Sequence, residues 1–227
     1  MKPVARPDAV LFDLDGTLVD SVPDLAAAIN AALGDCGLAA WPETRIRDWV
    51  GDGAAALVTR ALTGGSDDGV DEPLRRRAFE RFQHHYARGL AARTRVYPGV
   101  RETLACLVDN GVALGCVTNK PMRFTGPLLE ALNLHHYFRA VVGGDSVTEK
   151  KPDPAPLLHA LKMLDVLPAN AVMVGDSAND VNAGRAAGCV VIAVTYGYNH
   201  GRDIRECGPD AVIDQLSELR TLLSKAA

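Results

Sequence analysis

The chain has 227 residues, 48% of them hydrophobic and 23% charged, with a formal net charge of -4 at pH 7. That length suits one large domain or one domain with a substantial insertion, and the apolar content builds a core without help, so a disordered chain and a disulfide scaffold are both excluded. The acidic balance supplies no basic field for nucleic acid or an anionic membrane, and no apolar run approaches the roughly 20 residues that span a bilayer.

The N-terminal "MKPVARPDAV" lacks a signal-peptide core and leads directly toward a strand, which makes the cytoplasm the expected compartment. The first apolar run, "AVLF" at 9–12, ends in Asp13-Leu14-Asp15-Gly16-Thr17. Residues 17–96 then contain no convincing strand and several helical patterns. "SVPDLAAAINAAL" starts with Ser21 and Asp24 in capping-box spacing and repeats Leu25, Ile29 and Leu33. "ETRIRDWV" and "AAALVTRAL" follow, then "TGGSDDG" as the clearest loop. "EPLRRRAFERFQHHYARGL" sets Leu74, Phe82, Tyr86 and Leu90 over an arginine-rich face. This interval is expected to be an all-helical insertion of roughly 80 residues, too long for one crossover helix.

From residue 97 onward strand-length apolar runs alternate with helical patterns. "PGVRETLACLVDNG" places Val100, Leu104, Leu107 and Val108 on one face and stops at Asn110-Gly111, and "VALGCV" (112–117) follows, ending in Thr118-Asn119. "AVV" (140–142) precedes a loop with Lys150-Lys151-Pro152, and "PAPLLHALKMLDV" repeats Leu157, Leu161 and Leu164. "AVMV" (171–174) runs into Gly175-Asp176-Ser177-Ala178-Asn179-Asp180, and "VIAV" (191–194) closes the series. Continuous rather than alternating runs are strands of a parallel sheet covered on both faces. The predicted fold is therefore α/β, a three-layer Rossmann-like core formed by 1–16 and 97–227, with an inserted helical cap at 17–96.

In such sheets ligands bind beyond the carboxyl ends of the strands, where this chain places its polar residues. Asp13 and Asp15 lean the same way from an extended chain with Cα atoms about 6.5 Å apart. Asp176 adds a third carboxylate, and a hard cation with oxygen ligands, Mg2+ by preference, relieves the repulsion. A basic residue, neutral hydrogen-bonding groups and a metal-held carboxylate suit a phosphoryl group, which a facing carboxylate can attack while a second moves a proton. The bland alternatives are an Asp-Gly turn at "LDGTL", a helix cap at Asn119, an exposed turn lysine at Lys151 and a capping box at Ser177 and Asp180. His84-His85 and His135-His136 point in different directions on a helix and make poor chelates, and the five scattered cysteines lack zinc spacing.

"DLDGT", "VTN", "KKPDPAP" and "GDSAND" resemble the four ordered motifs of the haloacid dehalogenase superfamily, and "WVGDGAAALVTRAL" and "TYGYNHG" are similar to its phosphoglycolate phosphatase branch. The resemblance implies Asp13 as nucleophile and metal ligand, and Asp15 as general acid and base with its main-chain carbonyl on the metal. It also implies Thr118 and Asn119 on the phosphoryl oxygens, Lys151 as the neutralising cation, Asp176 as a Mg2+ ligand, and Asp180 supporting the site directly or through water. Thr17, Gly51, Asp52 and Gly53 are the candidate substrate-binding residues, the two glycines because they let the backbone and a following helix start approach a small second anion. The implied reaction is hydrolysis of 2-phosphoglycolate by a monomer or homodimer. Alternatives are another small phosphate ester, such as an amino-sugar phosphate, a sugar-phosphate mutase, or a non-catalytic phosphate-binding module. Asp15 argues against dehalogenation, and the absence of lysine from 17–96 against a phosphonate-cleaving relative that uses a cap lysine.

Overall fold

The computed structural model describes residues 6–67 and 69–224. The start of "MKPVARPDAV" and Asp68 of the expected loop lie outside the described residues. In chain order the elements are β1 (Ala9–Phe12), β2 (Val19–Asp20), α1 (Val22–Asp35), α2 (Glu43–Arg47), α3 (Ala54–Thr63), α4 (Glu72–Gly89), β3 (Arg95–Val96), α5 (Val100–Asp109) and β4 (Ala113–Val117). They continue as α6 (Met122–Ala131), β5 (Ala140–Val142), α7 (Ala155–Leu164), β6 (Ala171–Gly175), α8 (Ala178–Ala187), β7 (Val190–Val194), β8 (Ala211–Ile213) and α9 (Glu218–Ser224).

Among the described residues, six strands form one parallel sheet in the order β5-β4-β1-β6-β7-β8. The period of two along β1 divides the packing. Val10 and Phe12 join Leu104, Leu128 and Leu219 on one face, and Ala9 and Leu11 join Leu157, Leu161 and Ala183 on the other. Burial on both faces accounts for the unbroken apolar runs. The chain moves outward from β1 through β4 to β5 and returns to β1's other side as β6, so the strand order reverses at β1. That reversal opens the crevice in which α/β folds hold their ligands.

Helices α1 to α4 lie between β2 and β3 and pack around a cluster of their own that includes Ile29, Ile46, Leu57, Phe82 and Tyr86. Phe124 and Tyr198 reach into that cluster from the sheet side. The all-helical expectation for 17–96 fails at its two ends: β2 and β3, two residues each, pair antiparallel where the chain leaves and re-enters the sheet unit. The expected capping box at Ser21 and Asp24 does not form either. Ser21 makes no side-chain cap, and its hydroxyl goes to Asp15 at 2.5 Å. The Asp24 carboxylate accepts from Arg93 N, Thr94 N at 2.8 Å and Thr94 Oγ1 at 2.7 Å, stitching together the two connections of the helical unit. Both residues are drawn off by tertiary partners, which compete with local caps. Val108, expected on the buried face of α5, is 44% exposed.

Candidate active site

Three strand ends meet at the crevice. Asp13 leaves β1 with its N-H on Val174 O at 2.9 Å, Thr118 leaves β4 with its N-H on Val142 O at 2.9 Å, and Asp176 follows β6. Two glycines make room for Asp176: a Cβ on Gly16, whose φ is +92°, would lie 2.3 Å from its Oδ2, and one on Gly197 would lie 2.2 Å from its Cβ. Only glycine adopts that φ cheaply, which explains the glycine directly after Asp15.

Asp13, Asp176 and Asp180 are buried and offer carboxylate oxygens that all lie within 4.8 Å of one another. The Lys151 ammonium donates to Asp13 Oδ1 at 2.7 Å, Asp180 Oδ1 at 2.6 Å and Val117 O at 2.7 Å, so this lysine is no exposed turn residue. Three carboxylates against one ammonium leave two formal negative charges in a buried site. Burial pushes the Asp13 carboxyl up to about 7, the Lys151 charge opposing it and the Asp180 charge adding to it. Asp176 is also held well above the carboxylate range, by burial first and then by the charges of Asp13 and Asp180. Hard oxygen donors, close spacing and that residual charge fit a divalent cation of the Mg2+ type.

Asp15 departs from the sequence expectation that its carboxylate would complete the acidic triad. Both its oxygens face the Lys120 ammonium, at 3.0 and 2.8 Å, and Oδ1 also accepts from Ser21 Oγ, so Asp180 is the third member instead. Asp180 serves two purposes. Oδ1 takes Lys151, while Oδ2 accepts from Ser177 N at 3.1 Å and Ser177 Oγ at 2.7 Å, completing the capping box that starts α8.

Asn119 does not cap α6; Asp145 accepts from Met122 N there at 2.7 Å. Its amide accepts from Lys151 N at 3.0 Å and donates to Lys151 O at 2.9 Å and Gly51 O at 3.1 Å, so it fixes the lysine's backbone and touches the helical unit. Thr17 donates to Asp176 Oδ1 at 3.0 Å and is fully buried behind it, away from the cavity wall.

Above these residues lies a cavity of about 40 Å³ between the sheet edge and the helices. Asp13, Asp15, Thr118 and Lys151 line its floor, and Gly51, Gly53, Leu57 and Tyr86 its roof. The Asp52 side chain faces elsewhere. It pairs with Arg60 at 2.6 Å and accepts from Asn179 Nδ2 at 2.6 Å, a latch between roof and floor. Gly53 has a φ of +89°, and a Cβ there would lie 3.1 Å from Asn119 O. Gly53→Val forces a side chain into that contact and into a left-handed backbone conformation, which costs about 1–3 kcal/mol. The expected result is a lower melting temperature and a reduced kcat/KM; unchanged values of both would show that the loop need not approach Asn119.

The sequence reading missed several participants. Tyr198 N donates to Asp176 Oδ2 at 2.7 Å, and its hydroxyl accepts from Ser21 N and donates to Asp20 Oδ1 at 2.8 Å. Lys120 follows Asn119 directly in "VTNKP", a position that could have flagged it. Among the described residues no helix is long and apolar enough to cross a membrane, and the five cysteines are free thiols.

The family model of haloacid dehalogenase-like hydrolases matches residues 10–194. The chain is 47% identical over 222 residues to a phosphoglycolate phosphatase of Nitrosococcus oceani, covering 98% of this chain and 99% of that protein. It is 49% identical to phosphoglycolate phosphatase 1 of Pseudomonas aeruginosa, covering 97% and 81%. A crystal structure of a predicted phosphoglycolate phosphatase from Haemophilus somnus 129pt superposes with a TM-score of 0.90 at 37% identity, covering 96% of this chain and 98% of that one.

Proposed function

The chain belongs to the haloacid dehalogenase-like hydrolases and is a phosphate monoester hydrolase; we propose that it cleaves 2-phosphoglycolate to glycolate and phosphate, with Mg2+, through an aspartyl phosphate on Asp13. The observation that carries this reading is the Asp13 carboxylate on the cavity floor, 2.7 Å from a buried ammonium, with Asp15 at the same strand end.

Asp13 attacks phosphorus, the ester P–O bond breaks, and Asp15 gives a proton to the departing alkoxide. Asp15 then takes a proton from water, whose oxygen attacks the same phosphorus, releasing phosphate and restoring Asp13. Lys151 holds Asp13 in place and offsets charge on the transferring oxygens, and Thr118 lies beside them. The roof narrows the approach to Asp13 and Asp15, and the small cavity favours a small leaving group. Mg2+ would be held by Asp13 and Asp176, with Asp180 beside them, and supplies charge neutralisation for the phosphoryl group.

Phosphate release should therefore require Mg2+ and stop in excess EDTA; an equal rate in EDTA would remove the metal from the scheme. Stability should carry the same signature. Burial pushes Asp13 up to about 7 from an ordinary 3.8, so the fold favours its protonated form, and the stability this gives is full below about 3.8 and is lost as pH rises through about 7. Mg2+ competes with that proton, so the melting temperature gained on adding Mg2+ should grow between pH 5.5 and 7.5, by several degrees. A gain independent of pH, or none, would contradict the buried-carboxylate site.

A further inference from the structure

Among the described residues, the Tyr86 hydroxyl is a fully buried polar group that meets no hydrogen-bond partner within 3.5 Å, with the Lys120 ammonium its neighbour just beyond that reach, although the residue lines the cavity. Buried donors are paired in the great majority of cases, and each exception calls for an explanation. The ring cannot simply turn away. It stacks on Phe82 at 5.6 Å with an interplanar angle of 9° and meets Phe124 edge-on at 5.1 Å. Burial pushes the phenol up to about 12, the Lys120 ammonium opposing this and the Asp15 charge adding to it, so it stays protonated at neutral pH.

Lys120 supplies the complementary charge. Its side chain is 5% exposed, its ammonium lies 5.0 Å from the Tyr86 ring centre, and its hydrogen bonds to Asp15 leave capacity for a third acceptor. Leu25, Leu57, Phe82 and Phe124 also line the cavity and are apolar, so the acceptor that already engages Lys120 is Asp15, which leaves one ammonium N–H for a ligand. A donor and a cation within apolar walls select a small anion. Two donors match the two oxygens of a carboxylate and fall short of what a second phosphate needs.

We propose that Tyr86 and Lys120 form the subsite that recognises a carboxylate on the leaving group, the phenol and the ammonium each donating to one of its oxygens. This rests on the phosphatase reading above and names how it selects its substrate. Lys120 touches Asp15 as well, which places the subsite next to the proton donor, as a carboxylate one carbon from the ester oxygen requires. Roof and floor each contribute one of the two groups, and neither recognises the carboxylate alone.

The test compares 2-phosphoglycolate with ethyl phosphate, in which a methyl group replaces the carboxylate. Tyr86→Phe removes one oxygen and keeps the ring packing. Its melting temperature should not fall, and the ratio of kcat/KM for the two esters should drop about tenfold. Lys120→Met should lower that ratio further, by about a hundredfold. Binding gives a readout apart from turnover: in an Asp13→Asn background, 2-phosphoglycolate should raise the melting temperature more than inorganic phosphate does, and adding Tyr86→Phe should erase the difference. A Tyr86→Phe ratio within about twofold of wild type, or a binding difference that survives Tyr86→Phe, would overturn the subsite. Hydrolysis of neither ester by the wild type would overturn the phosphatase reading instead, while the binding comparison would still decide for or against Tyr86.

Discussion

Asp13→Asn lowers phosphate release by about three orders of magnitude or more and leaves the protein at least as stable as before. The loss follows from the chemistry, because an amide is a far poorer nucleophile than a carboxylate. The stability follows from the electrostatics. Asp13 is buried beside Asp180 and Asp176, whose charges oppose its ionisation, and in metal-free buffer an uncharged side chain removes that repulsion. Lys151 keeps Asp180 and Val117 O as partners. Phosphate release and thermal melting, measured together, separate this outcome from unfolding. Retained activity would assign the nucleophile elsewhere.

Lys151→Met gives the opposite stability result with the same loss of turnover. Its ammonium is the counter-charge for two buried carboxylates, and removing one partner of a buried ion pair costs about 3–5 kcal/mol. In a chain of this size that corresponds to a fall of about 10 °C in melting temperature. Mg2+ should recover part of the fall, since it supplies positive charge to the same oxygens. Asp13→Asn combined with Lys151→Met should lose less stability than Lys151→Met alone, because one uncompensated carboxylate is gone. Lys151→Arg should stay inactive: the guanidinium is wider, and the lysine site is 4% exposed and filled by three acceptors. A Lys151→Met protein that melts with the wild type would show that this pair contributes nothing to the fold.

What the sequence disclosed and what it concealed have different physical origins. The strands that carry Asp13, Thr118 and Asp176 are buried on both faces, so their apolar runs are unbroken, and the polar residues that end them stand out. β2 and β3 are only two residues long, too short for any periodic signal. Spacing also misled at Ser21 and Asp24, whose side chains leave the local cap for Asp15 and for Thr94. At Asp180 the capping box with Ser177 and the ion pair with Lys151 coexist, because each carboxylate oxygen takes a different partner. Of the three residues proposed from "WVGDGAAAL", the two glycines line the cavity, while Asp52 is turned onto Arg60 and Asn179. Tyr86 matched a helical face pattern, which locates a buried ring but says nothing about where its hydroxyl ends. That depends on how the helices sit over the sheet edge, which no local pattern encodes.

The substrate assignment meets its most direct test in a kcat/KM panel of small phosphate esters with Mg2+, using Asp13→Asn as the blank. The panel should include 2-phosphoglycolate, ethyl phosphate, a sugar phosphate and an amino-sugar phosphate. A value for 2-phosphoglycolate that dominates the rest is the expected result; a flat profile, or a maximum at a sugar phosphate, would contradict it.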